Sequence, residues 1–169
     1  MSKGHRTYVT VYEFTPTDFA NLDRAVHIES SDFFEEVVPF KHEWGDVFHI
    51  ELEDLEYDER NNQLTFICET KWHTPSQWLK AASSTPFFNG KLILAAGISS
   101  YENHVEGLAF MNHDILQDAV LVDVPADTIS EMYENDEVDE VDNLLWSAIE
   151  QFNRKCEELY IDEFPCAGV

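Results

Sequence analysis

Residues 64–79, LTFICETKWHTPSQWL, change hydrophobic period midway, and that change constrains the fold more than any other stretch of the chain. In its first half Leu64, Phe66 and Cys68 alternate with Thr65, Ile67 and Glu69, the period-two pattern of a strand with one face on a core. In its continuation Trp78, Leu79 and Ala82 recur at helical spacing. Between the halves, Thr74-Pro75 reads as a helix start, with threonine at the cap and proline at the first helical position, where its missing N–H costs nothing. A strand that turns directly into a helix belongs to a layered α+β domain, so neighbouring segments must supply the rest of the sheet.

Residues 6–15, RTYVTVYEFT, are β-branched and aromatic and read as a first strand ended by Pro16. Thr15 or Thr17 can cap a helix that carries Phe19, Leu22, Ala25 and Val26. A short helix is expected over 32–38, where Phe33, Phe34, Val37 and Val38 share a face before Pro39, and in the loop after it Trp44 covers a core edge. Residues 46–57 alternate as a strand, with Val47, His49, Glu51, Glu53 and Leu55 on one side and Phe48, Ile50, Leu52, Asp54 and Glu56 on the other. A polar turn over 58–62 joins this strand to Gln63. After a turn at 86–90, strands are expected over 91–101 and 105–111, with Asn103-His104 between them. Gly97 and Gly107 mark bulges or close backbone approaches there, and 119–124 is a further strand candidate.

The order strand, helix, strand, strand, helix, strand is the split βαββαβ pattern. The expected fold class is therefore α+β: a ferredoxin-like antiparallel sheet with an extra hairpin strand over 1–125, and an acidic helical extension over 126–169 packed on the same domain. In that extension a long helix begins near Val138. Val141, Leu145, Ala148, Phe152, Cys156 and Leu159 follow at steps of three and four, widened by Leu144 and Ile149. Such a stripe docks either on its own sheet or on a second copy of the chain, which makes a homodimer through 138–159 one expected assembly.

Charge narrows the choice of partners. The chain carries 34 acidic and 10 basic residues, a formal −24. From Asp114 onward 16 acids face only Arg154 and Lys155, so this third alone is −14 (16 − 2). Direct binding to nucleic acid or an anionic membrane is opposed at this charge, and the favoured partner is the basic surface of a protein that itself handles nucleic acid. No apolar run reaches membrane-span length and the N-terminal residues lack a signal peptide's apolar core, so a cytoplasmic location is expected. Cys68, Cys156 and Cys166 form no CxxC pair and are expected as reduced thiols, Cys166 being the accessible one.

Motifs for chemistry are sparse. The seven histidines show no HxH or HExxH spacing, so no metal site is expected, and no GxSxG elbow or phosphate-cradling glycine loop is present. No cofactor is implied. The least weak acid–base set is Glu102, His104 and His113 near one hairpin, which would suit a small hydrolase or nucleotide-modifying enzyme with a carboxylate-held divalent metal; a polar hairpin end explains these residues equally well. Trp72 and His73, where strand becomes helix, form a candidate ligand edge, whereas Trp78 belongs to the core. The remaining candidate is an array of carboxylates: Glu131, Glu134, Asp136, Glu137, Asp139, Glu140, Asp142 and Glu150. On a helix, residues three and four apart stand about 5–6 Å apart, comparable to phosphate spacing along a duplex at about 3.4 Å of axis per nucleotide.

One family shares several of these residues. Pro39-Phe40, Trp44-Gly45, then Phe66, Thr70, Trp72 and Pro75 as F-x-x-x-T-x-W-x-x-P, and a closing strand from Gly107 to Phe110, together resemble the YubB-type ferredoxin-like domain of plasmids and phages. The resemblance covers about 9–110, leaves the acidic tail unmatched, and lacks the family's Asn-Trp-Cys-like opening. It implies the fold and a mobile-element origin, hence a bacterial host cytoplasm, and it implies no activity or site residue. Charge and resemblance together lead to the expectation of a non-enzymatic acidic accessory protein that inhibits a host nucleic-acid-binding or defence protein, by DNA mimicry through the acidic array.

Overall fold

The computed structural model describes residues 5–25, 51–70, 74–99, 104–123, 131, 134–135 and 138–161. The expected helix over 32–38, Trp44, the first residues of the 46–57 strand and Cys166 lie outside them. Among the described residues the main elements follow in the order β1 (His5–Val11), α1 (Pro16–Ala25), β2 (Glu51–Asp58), β3 (Gln63–Thr70), α2 (Ser76–Ala82), β4 (Ile93–Ser99), β5 (His104–Met111), β6 (Asp114–Asp123) and α3 (Val138–Tyr160). The strands form one antiparallel sheet in the order β2-β3-β1-β4-β5-β6. Its first four strands are arranged as in a ferredoxin-like domain, and β5 and β6 extend that sheet beyond β4.

The two faces of the sheet have separate cores. Val9, Val11, Leu64, Phe66, Cys68, Ile93, Ala95, Leu108 and Phe110 bury one face under Leu22 of α1 and Trp78, Leu79 and Ala82 of α2. The register explains the match: Val9 stands opposite both Phe66 and Ala95, and Val11 opposite Leu64 and Ile93. On the other face Leu94, Ala96, Val105, Ala109 and Val122 receive Ile149, Phe152 and Cys156 of α3. The long amphipathic helix therefore docks on its own sheet, over β4 to β6. Tyr12 ties it down, its hydroxyl donating to Glu157 Oε1 at 2.8 Å.

The helix starts show which capping residues are used. Thr15 caps α1, its Oγ1 accepting from the Asp18 N–H at 3.1 Å while Asp18 Oδ2 accepts from the Thr15 N–H at 2.8 Å. At α2 the expected cap is not made: Pro75 occupies the cap position with no side-chain bond, and Ser76 is the first helical residue. Thr74 instead turns its hydroxyl inward to His5 Nε2, 2.8 Å away.

Three further departures concern the sheet edges. The 46–57 alternation does not hold through β2, because Asp54 takes a left-handed backbone (φ 51°) and the pairing slips between Glu53 and Glu56. Two residues oppose one at this bulge, so Leu55 and Tyr57 both reach the helix-covered core and Glu56 goes to the opposite face. Next, β6 begins at Asp114 rather than near Ala119, so the further strand expected over 119–124 is longer and pairs along all of β5. Asn112 (φ 51°) and His113 (φ 73°) make the two-residue turn between β5 and β6, the conformation that suits a right-twisted hairpin. Finally, two register slips in β6 leave Leu116 and Leu121 as inserted residues, and both pack towards α3.

Candidate functional site

Helix α3 covers only half of its face of the sheet. Among the described residues no helix packs on the rest, over β1, β3 and β2, and where that part meets α3 there is a cleft of about 360 Å3. Tyr8 and Thr10 of β1, Thr65 and Ile67 of β3, Asp54 and Glu56 of β2, and Trp146 and Asn153 of α3 line it. Period two places Tyr8 and Thr10 on this face because Val9 and Val11 are held in the opposite core. The β2 bulge brings Asp54 and Glu56 to the rim, and both are exposed.

The two walls of the cleft differ in chemistry. One is aromatic: the Tyr8 and Trp146 rings meet edge to face with centroids 4.8 Å apart. Trp146 is nonetheless 43% exposed, unusual for the largest apolar side chain on a helix that buries its stripe elsewhere. The other wall is anionic, and among the described residues the lining contains no lysine or arginine. Beside the cleft, Arg6 pairs with Glu69 at 3.2 Å and holds its guanidinium 5.8 Å from the Tyr8 ring centroid.

The residues expected to bind a partner are distributed as follows. Glu131, Glu134, Glu140 and Glu150 are all exposed. Asp139 and Asp142 lie within α3, whereas Asp136 and Glu137 lie outside the described residues. Trp72, His73 and Glu102 also lie outside them. His104 opens β5, and His113 sits exposed in the β5–β6 turn with its N–H donated to Ser83 Oγ at 2.8 Å. The acids at the start of α3 also favour the positive end of the helix dipole, so part of their effect is on the helix itself. Towards its end Arg154 and Lys155 interrupt the acidic face.

A second polar group is internal. His5, Thr7, Thr70 and Thr74 are buried together on the α1–α2 side of the sheet, around the bare backbone of Gly97. No set of three or more His, Cys, Asp or Glu among the described residues is placed to hold a metal. Cys68 and Cys156 are buried free thiols, and burial pushes both up in pKa, Cys156 to about 11, so neither is a ready nucleophile.

The sequence reading did not single out Tyr8, Asp54, Glu56 or Trp146 as one site. Its available signal was Trp146, which stands off the apolar stripe defined by Leu145, Ile149 and Phe152. No family model matches the chain, and no curated protein or solved structure matches it at a significant level.

Proposed function

We propose that the protein is a non-enzymatic acidic accessory protein that binds, and occludes, the basic surface of a nucleic-acid-binding or defence protein. The observation that carries this reading is the division of labour on the acidic segment. Ile149, Phe152 and Cys156 are buried on the sheet, while Glu131, Glu134, Glu140 and Glu150 face solvent. A chain of formal charge −24 thus offers carboxylates as its outer surface. Cationic grooves that normally take phosphates are attracted to such a surface over long range, with fast and salt-sensitive association. DNA mimicry is the specific form proposed, and the YubB-type resemblance supports a phage or plasmid origin.

The test combines capture with charge reversal. The protein is used as bait in bacterial lysate at low and high salt, beside a variant carrying Glu137→Lys, Glu140→Lys and Asp142→Lys. The expected result is a nucleic-acid-handling protein retained at low salt, released at high salt, and retained poorly by the variant although its melting temperature stays near that of the parent. A complex indifferent to both salt and reversal would refute the reading.

A further inference from the structure

The cleft between the β1–β3 part of the sheet and α3 adds something that an acidic surface alone does not provide. A carboxylate array attracts any cation, whereas this cleft pairs carboxylates with an exposed indole. We infer that the cleft is the seat for one arginine side chain of the basic partner, an inference that rests on the proposed function and names the group it recognises. The guanidinium would lie against Trp146 and the Thr65–Ile67 floor while Asp54 and Glu56 accept its N–H groups.

Three observations favour this occupant. The lining is anionic on one side and aromatic on the other, which complements a flat cation more than a neutral or anionic ligand. Its volume of about 360 Å3 is at the small end of ligand sites, fitting one long side chain or a small molecule and not a helix or strand. The neighbouring Arg6 shows the same mode within the chain, its guanidinium held by the Glu69 carboxylate and near the Tyr8 ring. Arginine is favoured over lysine because a planar guanidinium can stack and donate in parallel, whereas a compact ammonium keeps its water and gains less from the indole.

The experiment titrates the full chain with hexa-arginine and with hexalysine by calorimetry at one salt concentration. Hexa-arginine is expected to bind about three- to fivefold more tightly. Trp146→Leu, and separately the pair Asp54→Asn with Glu56→Gln, should bring the two peptides to equal affinity. Glu140→Lys, on the outer face of α3, should weaken both peptides by the same factor and leave their ratio intact. Equal affinities for the unaltered protein, or a preference that survives Trp146→Leu, would overturn the cleft while leaving the basic-partner reading standing. Absence of binding by either peptide would sink both. Should Trp146→Leu lose its cooperative melt, Thr65→Arg decides, since a guanidinium supplied from the floor must abolish the arginine preference; persistence of that preference overturns the proposal.

Discussion

Gly97 has no room for a side chain. A Cβ there would collide with Thr74 Oγ1 and come within 2.7 Å of His5 Nε2, two groups that are buried and bonded to each other. Gly97→Ala is therefore expected to cost about 1–3 kcal/mol, the range for overpacking a filled core. Gly107→Ala should cost less, because its nearest contacts are side-chain carbons of Leu121 and Phe152 at 3.0 Å, a smaller overlap than the one at Gly97, and the Leu121 methyls can give. Denaturant midpoints of the two variants check the order, and a harmless Gly97→Ala would refute the crowding. Asp18 makes a different kind of prediction. Burial opposes its charge, yet hydrogen bonds from Lys91 and Thr15 outweigh that and hold its carboxyl below the usual 3.8. With the folded value depressed, its stabilising contribution is complete above the unfolded value and vanishes as pH falls through the folded one. Asp18→Ala should thus lower stability near neutrality by about 0.5–1 kcal/mol, the scale of a lost cap partner beside a partly buried ion pair. The parent and variant curves should converge below pH 3.8, and a gap that stays constant into acid would contradict the assignment.

Among the elements, α3 depends most on a few contacts. Phe152, 7% exposed, reaches between Leu94, Ala109 and the bare Gly107, and Cys156 follows one turn later. Phe152→Ala should cost about 3–5 kcal/mol, with amide exchange rising along α3 before the β1–β3 strands respond. Uniform loss of protection would instead mean that helix and sheet unfold as one unit. This helix was legible from its stripe, as β3 was from its alternation, because each pattern is set by the residue's own element. The registers of the edge strands were not. Strict alternation puts Leu55 with Glu53, and only the slip opposite Phe66, with Asp54 in a left-handed backbone, returns Leu55 to the core. The turn at Asn112-His113 escaped for a related reason: the polar-looking 114–118 segment pairs as a strand because β5 offers it an edge. The cleft was illegible for a third reason. Tyr8 and Trp146 meet through the docking of α3 across the sheet, and no spacing along the chain encodes that contact.

For the whole molecule, charge acts on folding and binding with opposite signs. At a formal −24 the compact state is repelled by itself, and ion pairs such as Arg6–Glu69 and Lys91–Asp18 each offset little of it when a surface pair is worth about 0–1 kcal/mol. Salt that shortens the screening length from about 30 Å at 0.01 M to about 10 Å at 0.1 M removes much of that repulsion, because the carboxylates are spread over a molecule of comparable size. The melting temperature should therefore rise across this range, where a protein held together by ion pairs would lose stability. The same increase in salt must weaken the complex with a basic partner, since the attraction is screened by the same ions. Measured together, a rising melting temperature and a falling affinity would identify one cause for both, the unpaired surface carboxylates. A melting temperature that falls with salt would mean that those carboxylates are engaged within the fold, and a surface already neutralised in that way could not present a phosphate-like array to a partner.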